Sequence, residues 1–411
     1  MGQFISKRTL ITSGLVLCVS VFLFFSPVLS GETVKVKPLV KEKAKKVSSQ
    51  FNVKRIGCLL PTSGAYANYG VSAQKGVDLA YLTFIANGNN TGLQIEYRDT
   101  GSNPAKTKQA IRELAELGVA AIIGPVGPAE DAAKEAQALG IPIITLTGKD
   151  GITSLGDCVF RHFLTQTMQV KSVTEYAFNT LELRRFAVLY PDEPYGRDMM
   201  KLFTTEVKRR GGVVVAAETY ALKTTDFGKQ IKKIIGVSGK KEIAHDPNKE
   251  WPETMVGIDG VFIPDTAETV GLILPQLRFY DVNDVILLGS NLWHSDKLVS
   301  MAGKYLSQAV IPEGFFVESE EPQVVRFVER FMEAYNSKPG FVEAISYDTA
   351  LMAFHVIAQK PASYSDFKRM LTELQNVRGV TGITSFGESG EAEKMIYLLR
   401  GNSDGFVEIS R

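Results

Sequence analysis

From about residue 53 onward, short apolar runs alternate with stretches in which apolar residues recur at helical spacing. Residues 53–60, 93–97, 120–123 and 142–146 read as strands, rich in β-branched residues and bounded by turn formers. Between them, 71–85 has helical periodicity with Val71, Val77, Leu79, Ala80 and Phe84 apolar. Helices are also expected over 105–117 and near 129–139. A second series begins near 165, with strands at 186–190, 213–217, 260–263 and 285–288 and helices at 195–209 and 227–235. Helices then follow at 327–335 and 344–358, and 382–386 and 394–399 flank Gly387-Glu388-Ser389-Gly390 as a hairpin. This alternation with short connections predicts an α/β protein whose parallel sheets carry helices on both faces.

The two series echo one another. Leu59-Leu60-Pro61 leads within ten residues to Tyr69-Gly70 and a helix, and Leu189-Tyr190-Pro191 leads likewise to Tyr195-Gly196. Two similar lobes would produce this pattern, although β-α connections recur in any doubly wound domain. Residues 238–258 interrupt the rhythm with a polar, two-proline segment too long for an ordinary connection. They read as a surface insertion, with Trp251 an anchor back onto the lobe.

The chain opens differently. Lys7 and Arg8 precede an apolar run over 10–29 that ends near Ser30, the order of a secretory signal peptide over residues 1–30. Cleavage after Ser30 is expected. The run is nearly long enough to span a bilayer, so retention as an N-terminal membrane anchor is the alternative. Residues 31–50 hold six Lys and two Glu with no aromatic residue, the composition of a disordered tether. An exported, periplasmic protein follows from either outcome.

The whole chain has 411 residues, 46 basic and 45 acidic, so no broad positive field invites nucleic acid. Three Cys cannot build a disulfide scaffold, and four scattered His make a zinc cluster improbable. Cys58 and Cys158 are expected as buried thiols. The chain shows no GxGxxG after a strand, no GxxxxGK[ST], no HExxH and no GxSxG. Neither a catalytic site nor a cofactor is expected.

In open α/β sheets, ligands bind beyond the carboxyl ends of the strands. Four loops lie there: 62–66 with Ser63 and Tyr66, 124–128 with Gly127, 145–148 with Thr147, and 264–266 with Asp265. Hydroxyls and free N–H groups at helix starts suit a small anion, and an acidic side chain suits an ammonium. Ser63, Thr147 and Asp265 would serve equally well as helix caps.

The segment IGCLLPTSGAYANYGVSAQKGVDLA, followed by AAIIGPV, GIPIITLT, FAVLYPDEPYGRDM and the YDTALMA helix, resembles the Leu/Ile/Val-binding family of type I periplasmic solute-binding proteins over roughly 51–411. FIPDTAETVGLILPQLRFYDV and LLGSNLWHS, with the insertion before them, are similar to the penicillin-binding protein activator subgroup. The resemblance implies two Rossmann-like lobes joined by a three-crossover hinge. Lobe one is expected at 51–163 plus 292–375, and lobe two at 164–291 plus 376–411. It also implies a ligand site of Ser63, Tyr66, Gly127 or Pro128, Thr147, Lys149, Tyr195 and Asp265, closing by hinge motion on a small polar ligand such as an amino acid or a related carboxylate or amide. Where amino-acid binders use a hydroxyl for the ligand carboxylate, this chain has Gly127 and Pro128, a departure from the pattern. The partner implied is the membrane permease of an ABC importer. The activator-like segment implies instead regulation of an envelope enzyme such as a peptidoglycan synthase.

Overall fold

The computed structural model describes residues 50–89, 92–236 and 257–409. The expected signal peptide and tether lie outside these residues apart from Gln50, and the expected insertion with Trp251 does so apart from 257–258. Strands β1 (Arg55–Leu60), β2 (Gln94–Asp99), β3 (Ile122–Val126), β4 (Ile143–Leu146) and β5 (Val159–Arg161) form one parallel sheet in the order β2-β1-β3-β4-β5. β3 and β4 are buried along their whole length, which is why they read as unbroken apolar runs. Helices α1 (Ala67–Ala86), α2 (Pro104–Glu116) and α3 (Glu130–Leu139) make the crossovers. Asn103 caps α2 by accepting from the N–H groups of Ala105 and Lys106, with Pro104 at the first helical position. α3 begins with Glu130 and Asp131 and stops at Gly140, whose φ of 72° is left-handed.

The second sheet repeats this plan. β6 (Arg185–Pro191), β7 (Val213–Tyr220), β8 (Gly260–Phe262), β9 (Ile286–Leu288) and β10 (Ala309–Glu313) run parallel in the order β7-β6-β8-β9-β10. Helices α4 (Gln166–Asn179), α5 (Pro194–Arg209), α6 (Gly228–Ile234), α7 (Ala267–Phe279) and α8 (Asp296–Ala302) accompany it. Thus β6 occupies the place of β1, and β8 that of β3. The echoed glycines do the same work in both lobes. A Cβ on Gly70 would lie 2.1 Å from the Pro61 carbonyl oxygen, and one on Gly196 would lie 2.3 Å from that of Pro191. Each helix therefore starts hard against the end of the strand before it, and only glycine fits.

The remainder returns to the first lobe and back again. α9 (Pro322–Tyr335), α10 (Phe341–Ala358) and α11 (Tyr364–Thr372) precede a small antiparallel sheet of β11 (Val377–Gly379), β12 (Gly382–Phe386) and β13 (Ala392–Met395). The expected hairpin about 387–390 is present. Its second arm, however, divides at Ile396: β13 pairs with β12, while β14 (Tyr397–Asn402) joins the second sheet antiparallel to β10, with β15 (Gly405–Glu408) beside it. Hydrogen bonding likewise puts β10 in the second sheet, beside β9. β10 is thus hydrogen-bonded into the sheet of β6 to β9, whereas the sequence reading placed residues 292–375 with lobe one, and β11 to β13 form a sheet of their own. The reason is local: β10 carries the proline-interrupted sequence AVIPE, which hides its strand character, and nothing in EKMIYLLR marks the change of sheet. The chain passes between the lobes after β5, after β10 and at Ile396. α10 is apolar on nearly every side because it is a core helix, capped by the Glu343 carboxylate accepting from the Gly340 N–H at 3.1 Å.

A buried polar cluster ties these crossings together. The Lys394 ammonium donates to the hydroxyls of Thr384 (2.7 Å) and Thr381 (2.9 Å) and lies 2.8 Å from His162 Nε2. His162 Nδ1 lies 2.7 Å from the Thr349 hydroxyl. Burial pushes His162 well below its ordinary value, so the neutral ring accepts from Lys394. Burial also pushes Lys394 down to about 8, against the attraction of Asp348. Between pH 8 and the ordinary lysine range the unfolded chain then binds the extra proton. Stability should therefore rise with pH across that window. The stability of the natural protein minus that of Lys394→Met, followed by urea denaturation from pH 7 to 10.5, should increase. A flat difference would mean Lys394 titrates as an exposed lysine does. Cys58 and Cys158 are unbridged buried thiols, Cys58 pushed strongly up by burial.

Candidate functional site

The order β2-β1-β3 reverses direction at β1, so the crevice beyond the carboxyl ends of β1 and β3 is this sheet's natural binding place. The loop after β1 is locked to the loop after β2. Ser63 donates to Asp99 through both its N–H (3.1 Å) and its hydroxyl (2.6 Å), and the Tyr66 N–H donates to the Ser102 hydroxyl at 3.0 Å. Partial burial pushes the Asp99 carboxyl up, but Lys106 at 2.6 Å, Ser63 and the Gly101 N–H together hold it well below the usual carboxylate range. Gly127, at φ +86°, packs under the Tyr66 ring and donates its N–H to the Leu146 carbonyl at 3.2 Å. A ligand carboxylate therefore finds neither a hydroxyl nor an unspent N–H at Gly127.

Thr147 is buried, and its hydroxyl accepts from the Lys149 N–H at 3.3 Å. Lys149 itself forms an ion pair with Glu130 at the start of α3. Glu130 also holds Lys134, and bonding to the two lysines brings its carboxyl down to about 2. Glu130 and Lys149 border a cavity of about 400 Å3 whose wall also includes Tyr66, Ser102, Asn103 and Pro128. Ser63, Tyr66, Gly127, Thr147 and Lys149 are thus all at the strand ends of the first sheet.

Tyr195 and Asp265 sit at the equivalent position of the second sheet, after β6 and β8. The Asp265 carboxylate is buried, accepting from the Tyr220 hydroxyl at 2.6 Å and the Thr266 N–H at 2.6 Å. Two of its lone-pair positions are thereby spent on structure, and the rest are open to a cation. Asp265→Ala should accordingly destabilise the ligand-free protein by about 1–3 kcal/mol, because it strands a buried tyrosine hydroxyl. Tyr220→Phe/Asp265→Ala should recover much of that loss in thermal denaturation. No recovery would show that the Tyr220 bond is not what Asp265 supplies.

Two hydroxyls here, those of Tyr195 and Ser290, are buried and, among the described residues, meet no group but each other. Burial pushes the Tyr195 phenol up. Ser290 follows β9 as Thr147 follows β4, and the sequence reading passed over it. The internal repeat was the signal that could have found it. Among the described residues no hydrogen bond or ion pair joins the first group to the second.

A family model described as periplasmic binding protein matches residues 54–405. The chain is 22% identical over 187 residues to Leu/Ile/Val-binding protein homolog 3 of Brucella melitensis, an alignment covering 44% of this chain and 50% of that protein. It is 27% identical over 188 residues to homolog 7 of Brucella abortus, covering 42% and 47%. The chain thus spans about half the length of the curated relatives it matches. Among solved structures, a putative branched-chain amino acid ABC transporter from Rhodospirillum rubrum superposes with a TM-score of 0.76 at 20% identity, covering 86% of this chain and 99% of that one. LivJ from Streptococcus pneumoniae, in complex with isoleucine, superposes at 0.58 with 24% identity and the same coverage. The shared fold is the two-lobed type I architecture. The narrower similarity to penicillin-binding protein activators finds no counterpart in these descriptions.

Proposed function

The chain belongs to the periplasmic binding protein family, and from that premise we propose that it is an exported, non-enzymatic receptor for a small polar solute. The ligand class is an amino acid or a related carboxylate or amide, held between residues 50–161 plus 322–395 on one side and 166–313 plus 397–409 on the other. Binding closes the two lobes, and the closed form is presented to the permease of an ABC importer. Only a ligand that touches both lobes shifts such an equilibrium.

The observation that carries this reading is the pair of buried hydroxyls, Tyr195 and Ser290, which meet no group but each other at the strand-end crevice of the second sheet. Buried polar groups are normally fully satisfied, so two hydroxyls left with only each other beside the Asp265 carboxylate favour a ligand that completes their bonding. The engaged N–H of Gly127 argues that the ligand's anionic end is held by other groups of the first lobe.

A thermal-shift screen of amino acids, amides and small carboxylates tests the proposal. A true ligand at a hundred times its dissociation constant should add ~2.7 kcal/mol of stability. Tyr195→Phe should leave the ligand-free melting temperature unchanged or raised, while weakening the hit by roughly 2- to 12-fold, one hydrogen bond's worth. A folded protein that responds to no member of the panel would overturn the reading.

A further inference from the structure

Apart from the strand-end crevice, the first lobe contains a larger cavity of about 560 Å3 between the C-terminal end of α1, helices α9 and α10, and β11. Three arginines border it. Arg326 and Arg330 stand one turn apart on α9, and Arg378 lies on β11. Among the described residues, Arg326 and Arg378 make no ion pair or hydrogen bond, and Arg330 makes only a 3.3 Å bond to the Thr83 hydroxyl. Elsewhere the chain is not sparing with counter-ions: Arg98, Arg112, Arg161, Arg197 and Arg369 all meet carboxylates.

Among the described residues the one carboxylate in the cavity wall is Asp348, and it is spent. Its oxygens accept from the N–H groups of Val380 and Thr381 at 2.9 and 2.8 Å and from the Thr381 hydroxyl at 2.5 Å. The floor is apolar, formed by the buried side chains of Phe84, Phe327 and Met352. The field of Arg326 and Arg330 reaches the buried Tyr347 hydroxyl between floor and rim.

We propose that this cavity is a second binding site, for a small organic anion with an apolar body: a phosphate monoester or carboxylate on an aromatic or branched-alkyl frame. Unpaired guanidiniums take such a group in bidentate fashion, and the size is that of a small-molecule pocket rather than a bare ion's. A cation finds no open carboxylate here. The site shares no lining residue with the crevice at the strand ends. Thr83 and Ala67 are 16 residues apart on α1, which puts the two sites roughly 24 Å apart.

Calorimetric titration of the full 411-residue chain tests this, with phenyl phosphate and phenylacetate as probes and inorganic phosphate and phenol as controls. At least one probe should bind saturably, at least tenfold more tightly than either control. Binding should fall at least tenfold in R326Q/R330Q, whose exposed positions leave folding intact by circular dichroism, and persist in Tyr195→Phe. Silence from both probes overturns the proposal, as does a control that binds as well as the probes. Binding that survives R326Q/R330Q but is lost in Tyr195→Phe places the probe in the strand-end crevice; the second site then falls while the solute-receptor reading stands.

Discussion

Replacing Asp348 with alanine should cost the protein about 3–5 kcal/mol, the largest loss expected from any single polar side chain described above. Asp348 projects from the middle of α10 and holds the start of the returning segment through two backbone N–H groups and one hydroxyl. Burial pushes its carboxyl up, and the Lys394 charge and then the three donors oppose that push. Truncation leaves all three donors inside the protein without an acceptor. Gly379 packs against the same carboxylate, since a Cβ there would fall 2.3 Å from Oδ2. Asp348→Asn should lose less, because its carbonyl oxygen still accepts one of the backbone donors. Urea denaturation decides the matter: a loss under 1 kcal/mol for the alanine variant would mean that water replaces the carboxylate.

The second large effect concerns Gly76. A Cβ at this position on α1 would sit 2.2 Å from the carbonyl oxygen of Glu343 and 3.1 Å from the Ser346 Cβ, at the close approach of α1 to α10. The obstruction is backbone, so no rotamer change relieves it and the helices must move apart. Gly76→Ala should destabilise by about 1–3 kcal/mol, and Gly76→Val by more. Gly387→Ala, with open space around its Cβ, is the control and should be near neutral. Equal melting temperatures for the two alanine variants would show that α1 and α10 tolerate separation.

How much of this was readable in advance depended on whether the signal was local. Most of the first sheet was legible because β3 and β4 are buried apolar runs next to turn formers, and the repeat of strand, proline and glycine announced a second such sheet. α4, α8, α11, β5 and β10 were passed over; α8 is seven residues long, β5 three, and β10 contains Pro312. The positions of the candidate residues at strand ends were legible too, since topology places them. Their chemical state was not. That Lys149 is held by Glu130, that Asp265 serves Tyr220, and that Ser290 meets only Tyr195 all depend on side chains distant in sequence. The same holds for the cavity of Arg326, Arg330 and Arg378, whose walls come from four separated elements.

The late change of sheet at Ile396 also governs when the protein can fold. β1 to β5 are complete by Arg161, yet α10, the helix that covers α1, begins only at Phe341, and β10 awaits its neighbour β14 until residue 397. An emerging chain cannot close either lobe until nearly all of it is available, and long-range closure of this kind is slow. The late pairing also sets a sharp limit on truncation, because a chain stopped before β14 would expose the edge of β10 to any partner strand.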